Sequence, residues 1–533
     1  MSDGRDARTP DGCGQLLDGM VVIVNTTAKH VGKLRYSLIA DAWSRSTRPD
    51  GVASPMNVLR RFLAVMIALA VVFVPTVPAH AAPGRTYNNP VKSVKGADPW
   101  IQFHDGNYYM ISTSWTSELT MRKSPTLAGL NTAPSIQVYR ETVADRCCNI
   151  WAPEMHYLNG RWYLYYTAGA GGSNYDSQRL HVLESAGSDP LGPYTYRNRL
   201  QGNGASGWLI DGSILKVGSA LYLIASAFTT ATQNLVIAPL SNPYTVSGSF
   251  TTISTPAQGW ERQGGDVNEG PAALYRNGRT MIVYSASACW GPDYKLGLLT
   301  LTGSNPLSAS SWTKAANPVF QRSDANGVYG PGHHGIFTSP DGTESWIVYH
   351  ANDGVNEGCD NNRTTRAQKF TFNTDNTPNF GTPMRLGTTA PGPAGETAAT
   401  PTAYRIINRN SGKCLDGDDV RQWTCTGATA QSWRIEDLGD DTNRLINVAT
   451  GKALDVADCS SADGADIQQW TWLNNTCQRF RLVYTATGGW VRLVNAATGK
   501  VADVTNCGTT DGTDVRQWSW LGNTCQQWQV VPA

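Results

Sequence analysis

Apolar and polar positions alternate in short runs from about residue 86 to residue 386, and glycine turns separate the runs. Five times an ionisable side chain stands three residues ahead of an apolar or aromatic one: Asp98-Pro99-Trp100-Ile101, Glu154-Met155-His156-Tyr157, Asp211-Gly212-Ser213-Ile214, Glu269-Gly270-Pro271-Ala272 and His333-His334-Gly335-Ile336. The intervals are 56, 57, 58 and 64 residues. After each comes a turn, at Gly106, Gly160, Gly218, Gly278 and Gly342, and then a second apolar run such as Tyr108 to Ile111 or Trp162 to Tyr166. Short alternating runs paired across glycine predict β-hairpins. A hairpin unit recurring every 60 residues or so, with no long helical period between, predicts a five-bladed β-propeller, since one such unit has no means of burying its faces alone. The first strand of each blade then lines a central channel, and four carboxylates and a histidine converge at its mouth.

Residues 388–402, rich in Pro, Gly, Thr and Ala, bury no core and read as a linker between two independently folding parts. A shorter repeat follows over 403–533. Lys452-Ala453-Leu454-Asp455 recurs as Lys500-Val501-Ala502-Asp503 and, more loosely, as Lys413-Cys414-Leu415-Asp416, while Gln431-Ser432-Trp433, Gln478-Arg479-Phe480 and Gln526-Gln527-Trp528 close three units. Three units of this length argue for a three-lobed β-trefoil, so the fold class is all-β throughout.

The N-terminus reads as a targeting segment. Met56 to Arg61 followed by an apolar run from Phe62 to Val74 and by Ala79-His80-Ala81 has the charged, apolar and small-residue regions of a secretory signal. Residues 1–55 are then an upstream extension ahead of a start at Met56, residues 56–81 the signal and 82–387 the propeller; an uncleaved anchor is the alternative. Export fits the cysteines: only Cys13 lies upstream, and the other ten are available to pair in an oxidising compartment. Cys459 and Cys477 are 18 residues apart, as are Cys507 and Cys525, which suggests one disulfide per trefoil repeat, with Cys414 and Cys425 in the first. Adjacent Cys147 and Cys148 either bond to each other, leaving Cys289 to Cys359, or form two long-range pairs.

Charge adds little. Lys+Arg 43 against Asp+Glu 42 gives no case for nucleic acid or a charged membrane surface, whereas 18 Trp and 21 Tyr suit a neutral ring-shaped ligand.

The segments Asp98-Pro99-Trp100, Trp151-Ala152-Pro153-Glu154, Asp211-Gly212-Ser213, Asn268-Glu269-Gly270-Pro271 and Gly332-His333, in this order, resemble glycoside hydrolase family 43, whose members are five-bladed propellers. The resemblance implies Asp98 as general base, Glu269 as general acid and Asp211 as the group that tunes and orients the acid. It also implies inversion of configuration, for which the two working carboxyls stand roughly 6.5–9.5 Å apart. Trp151, Trp100 and Glu154 are candidate substrate contacts. In the family the histidine matching His333 helps hold a calcium ion or its water in the channel; calcium's preference for oxygen implies a water-mediated role, with His334 the alternative. No cofactor is required for the chemistry.

Residues 403–533 resemble the ricin-type trefoil, or family 13 carbohydrate-binding module. That resemblance marks Asp416 and Trp423, Asp455, Gln468, Trp470 and Gln478, and Asp503, Trp518 and Gln526 as sugar contacts, with Arg421 and Arg516 standing where the second repeat has Gln468. The expectation is a secreted, monomeric enzyme that releases α-L-arabinofuranosyl residues from plant cell-wall arabinan or arabinoxylan, with no nucleic acid or membrane partner. A β-xylosidase or endo-arabinanase on the same propeller is the near alternative; a non-catalytic lectin is the alternative from another class.

Overall fold

The computed structural model describes residues 85–172, 175–201, 207–417 and 419–533. The readings placed on residues 1–84, including the start at Met56, the signal and Cys13, lie outside the described residues. These fold as short antiparallel strands and one-turn 3-10 helices. No helix among them is long and apolar enough to cross a membrane.

Residues 85–387 form a propeller-like array. Four meanders of antiparallel strands are separate sheets, beginning with the strands Cys148–Leu158, Ile210–Val217, Asn268–Arg276 and Tyr329–Thr338. A further meander, Trp100–His104, Asn107–Ile111, Glu118–Ser124 and Ile136–Arg140, runs on into strands of the C-terminal part. The five leading strands pack in succession, and the last, Tyr329–Thr338, returns to Trp100–His104. Turn chemistry explains the hairpins. Asp105-Gly106, Asn159-Gly160 and Asn277-Gly278 take φ of 45 and 75°, 53 and 81°, and 45 and 79°. Two successive positive φ values define the type I′ turn, whose twist matches that of the strands it joins and which favours Asx-Gly. Apolar side chains fill the spaces between neighbouring sheets, for example Leu180, Val182, Leu223 and Val236 between the second and third meanders.

Residues 403–533 form the trefoil. Its closing aromatics Trp433, Phe480 and Trp528 are wholly buried, and the indoles of Trp433 and Trp528 donate to the Leu415 and Ala502 carbonyls at 3.0 and 3.1 Å.

The stretch read as a linker is bound along its length. Thr389–Pro391 pairs antiparallel with Thr86–Asn88, and the Leu127 amide donates to Glu396 Oε1 at 2.8 Å. Beyond it the trefoil docks directly on the propeller. Leu482 and Val483 pair in parallel with Ile136 and Gln137 on the outer edge of the first meander. Asn443 exchanges two hydrogen bonds of 3.1 Å with the Ser135 backbone, Arg122 meets Asp437 at 2.6 Å, and Tyr484 donates to Asp189 at 2.8 Å. The outer edge of that meander, otherwise an unpaired strand, finds its partner in the trefoil.

Candidate active site

A residue of positive φ stands in or just ahead of the leading strand of each meander at the channel mouth. Asp98, Ala152, Asp211, Gly270 and His333 have φ of 53, 43, 55, 52 and 41°. Around the last four, strand register shifts, the mark of a bulge. A bulge re-aims a side chain while the strand continues, and here it turns the chain at the channel mouth. The backbone thus aligns the five repeats differently from the acid pattern. Asp98, Asp211 and His333 are true equivalents, Glu269 stands one residue ahead of the equivalent Gly270, and Glu154 two residues after Ala152. Gly270 is needed as glycine: a Cβ there would lie 3.2 Å from the His333 ring, at a φ of 52°.

Asp98, Asp211, Glu269 and His333 meet in one cavity of about 230 Å³, also lined by Trp115, Trp151, Tyr175, Trp208, Gln233, Trp290 and Arg363. This is small beside the roughly 300–1,000 Å³ of pockets for drug-sized ligands and suits a single sugar ring. Asp98 is clamped. It accepts from Thr113 Oγ1 at 2.5 Å and Arg363 Nη1 at 3.2 Å, and His350 Nδ1 and His333 Nδ1 stand 3.1 and 3.3 Å away. Glu269 accepts from Tyr294 at 2.8 Å and Gln233 at 2.7 Å, one on each oxygen. Asp211 accepts from the Gly270 amide at 3.0 Å, and carboxylate oxygens of Asp211 and Glu269 lie within 4.8 Å of each other and of His333.

These surroundings separate the carboxyls. Burial opposes the charge on Asp98, but His333, Arg363 and His350 overcome it and hold the group well below the ordinary carboxylate range. Asp211 is pushed up to about 7, first by burial and then, against the pull of His333, by the neighbouring Glu269 and Asp98. Glu269 is also raised, chiefly by burial. The site therefore joins an Asp98 that favours the ionised form to an Asp211/Glu269 pair that holds its proton to higher pH than free carboxyls do. Burial works against the charge on His333, and Asp98, Asp211, Glu269 and Glu154 outweigh it, so His333 is raised and favours its cationic form among the acids.

Trp151 is in the wall as expected, edge-on to Trp115 and Tyr175 at 5.3 and 4.8 Å between ring centroids. Trp100 and Glu154 are not among the lining residues. Trp100 is buried, its indole donating to the Met155 carbonyl at 2.9 Å, and Glu154 is bonded to His156 at 2.8 Å. Trp100 is a candidate for its place beside Asp98 and Glu154 for its place in the repeat, and the course of their strands turns both into the packing instead. No motif marked Trp115, Tyr175, Trp208 and Gln233, which come from connections and a later strand of different meanders. The donors at His333 alone would not complete a calcium shell, and a calcium there would draw its remaining oxygens from water, as the water-mediated role implies. Asp211, Glu269 and His333 are the metal-capable group among the described residues, and they offer two carboxylates already engaged and one nitrogen, against the six to eight oxygens calcium takes.

The sequence profile of Glycosyl hydrolases family 43 matches residues 87–378. The chain belongs to glycosyl hydrolase family 43. Its domain is similar to an extracellular exo-alpha-(1->5)-L-arabinofuranosidase of Streptomyces avermitilis, 39% identical over 350 residues that cover 62% of this chain and 71% of the relative. It is also similar to alpha-L-arabinofuranosidase 43 of Humicola insolens, at 35% over 366 residues, 66% of this chain and 72% of the relative. Among solved structures, an alpha-L-arabinofuranosidase from Lactobacillus brevis superposes with a TM-score of 0.53 at 31% identity, covering 57% of this chain and 98% of that one. The profile of the ricin-type beta-trefoil lectin domain-like family matches residues 393–470 and 476–533.

In the family 43 domain Cys147 bonds to Cys148 and Cys289 to Cys359; the latter pair lines the cavity and anchors Trp290 at its rim. The lectin domain has Cys414–Cys425, Cys459–Cys477 and Cys507–Cys525. Of its candidate sugar contacts, Asp416, Asp455 and Asp503 stand at like positions on three hairpins, with Trp423, Trp470 and Trp518 on the paired strands. Gln478 and Gln526 take another role. Both are fully buried; their oxygens accept from the Leu473 and Leu521 amides at 2.6 and 2.7 Å and their nitrogens donate to the Thr471 and Ser519 carbonyls at 2.8 and 2.9 Å. They brace the hairpins rather than face a ligand, because a buried amide must satisfy both its ends.

Proposed function

We propose that the chain is a secreted, inverting, exo-acting α-L-arabinofuranosidase that trims arabinan- or arabinoxylan-type plant polysaccharide. The observation that carries the reading is the meeting of Asp98, Asp211 and Glu269 in one ring-sized cavity, where His333, Arg363 and His350 favour the charge on Asp98 while burial raises Asp211 and Glu269. Relatives named extracellular and exo-acting arabinofuranosidases support the sugar, the mode and the location.

In this reading Glu269 gives its proton to the glycosidic oxygen as the bond to the anomeric carbon breaks. A water attacks that carbon from the opposite face and passes its proton to Asp98, so the sugar leaves inverted. Asp211, beside Glu269, keeps it protonated between turnovers. Trp151, Trp115 and Tyr175 form the wall for the ring. We take the meander of Trp100–His104 as one blade of five, supported by the closed succession of leading strands.

The test is the initial rate on 4-nitrophenyl α-L-arabinofuranoside, against the β-D-xyloside, for the 82–533 chain and its Asp98→Ala and Glu269→Gln variants. The expected result is preference for the arabinoside and a fall of about a thousandfold or more in the Asp98 variant, the upper range for losing a proton-transfer group. The second variant loses polymer hydrolysis more than aryl hydrolysis, because an aryl leaving group needs less protonation. NMR of the first-formed anomer reads inversion directly. Preference for the xyloside, or retention of configuration, refutes the reading.

A further inference from the structure

The three lobes of the trefoil descend from one pattern, and two of them depart from it in the same way. In each, an Asp on one hairpin strand faces a side chain on the next: Asp416 opposite Arg421, Asp455 opposite Gln468, and Asp503 opposite Arg516, with a Trp two residues further on. Where the facing residue is arginine it turns back on its own lobe. The Arg516 guanidinium lies 4.1 Å from the Trp518 ring centroid while its Nε donates to Asp503 Oδ1 at 3.2 Å, and Arg421 lies 4.9 Å from the Trp423 centroid. A cation over an indole occupies the face that an apolar sugar surface would need, and in the third lobe it also neutralises the carboxylate that would accept sugar hydroxyls. Gln468, by contrast, donates one neutral hydrogen bond to Asp455 Oδ2 at 3.0 Å. Trp470 stays 51% exposed.

Chain length adds a second, independent difference. Between the Asp and the next strand, the second and third lobes have 11 residues (456–466 and 504–514), and the first has only four (417–420). The longer loops cover the Trp of a neighbouring lobe: a Cβ on Gly464 would lie 3.5 Å from Trp518, and one on Gly512 3.5 Å from Trp423. They are latched there, Asp463 accepting from the Ser519 amide and Asp511 from the Thr424 amide, both at 2.7 Å. The matching cover for Trp470 would come from the first lobe, where the loop has been shortened away.

We propose that this trefoil holds polysaccharide through its second lobe alone, at Asp455, Gln468 and Trp470, and that the first and third lobes are closed by their own arginines. The ligand is a neutral sugar residue of plant-wall polymer, its apolar face on Trp470 and its hydroxyls on the Asp455 carboxylate and the Gln468 amide. Only this choice of polymer rests on the proposed activity.

The test is retention on insoluble arabinoxylan and on debranched arabinan by the full chain made inert with Glu269→Gln, with folding checked by the melting temperature. Trp470→Ala should weaken retention about tenfold or more, as expected of an aromatic anchor, while Trp423→Ala and Trp518→Ala change it less than twofold. Gln468→Arg, which gives the second lobe the arginine of the other two, should weaken retention about as much, and it keeps the test informative if Trp470→Ala misfolds. Equal losses for all three Trp variants, a loss confined to the first or third lobe, or no retention of the parent on either polymer overturns the proposal. Aryl arabinofuranoside turnover by the unsubstituted chain reports separately on the catalytic reading.

Discussion

Replacing Asp211 with Asn removes one charge from the site at almost no change of shape, and its effect should appear on one limb of the pH profile. Asn keeps an oxygen for the Gly270 amide that now bonds Asp211 at 3.0 Å. What disappears is the like charge that opposes ionisation of Glu269. With the two carboxylates within 4.8 Å, Coulomb's law at an effective dielectric constant of about 20 gives roughly 3.5 kcal/mol for the pair, about 2.5 pH units at full coupling. The nearby His333 cation damps this, so an observed shift of about one to two units is expected. The sign follows from the role. The pair must hold a proton for turnover, so activity falls as pH rises through its titration, near 7 in the parent, where Asp211 is pushed up to about 7. In Asp211→Asn the remaining acid ionises more readily and the alkaline limb moves down. The assay is kcat/KM on 4-nitrophenyl α-L-arabinofuranoside from pH 4 to 9. An alkaline limb that stays in place while the whole profile drops would refute the coupling and leave Asp211 as a contact to substrate.

Other outcomes follow from the same geometry. Thr113→Ala removes the 2.5 Å hydrogen bond to Asp98; since Asp98 must be ionised to act as base and is held below its ordinary value, its loss should raise the acid limb by about one pH unit, the worth of a hydrogen bond to a charged group, and an unmoved acid limb would count against the clamp. A chain ending at Thr388 loses the strand partner of Thr86–Asn88, the pairing of Ile136 with Leu482 and the Arg122–Asp437 pair; its melting temperature should fall by about 5–10 °C, taking roughly 2–4 °C per kcal/mol for a domain of this size, and an unchanged value would restore the picture of separate parts. Dialysis against a chelator should leave kcat on the aryl substrate within about twofold, because the donors at His333 do not form an oxygen cage; a larger loss reversed by calcium would overturn that.

The blades and the three acids were legible because their signals are local and repeated. Asx-Gly turns fix hairpins by backbone preference alone, and a carboxylate recurring at blade spacing has no packing reason to be there. The repeat blurred where bulges add a residue. Spacing put Glu154 and Glu269 on one footing with Asp98, yet the left-handed residues are Ala152 and Gly270, and a shift of one or two positions decides whether a side chain enters the cavity or the core. Trp100 and Trp208 show the same limit from opposite sides: the first stands beside a catalytic candidate and packs inward, the second follows no motif and lines the pocket. Gln478 and Gln526 matched a sugar-binding pattern by type and spacing, while their buried amides are engaged by backbone groups and by Asp455 and Asp503.

The docking of the trefoil changes what the sugar site proposed for it is able to contribute. A flexible linker lets a binding module raise the local concentration of polymer around the active site in many relative orientations, with an effective concentration set by linker length. Here the strand pairing of Phe480–Ala486 with Ile136–Arg140 and the hydrogen bonds of Asn443 and Tyr484 fix one orientation. Both sites then engage one polymer chain only where its own path spans them. The advantage of the trefoil should therefore depend on polymer architecture rather than on concentration alone. Branched and linear polymers of equal arabinose content should differ in kcat/KM for the parent, and that difference should vanish in Trp470→Ala.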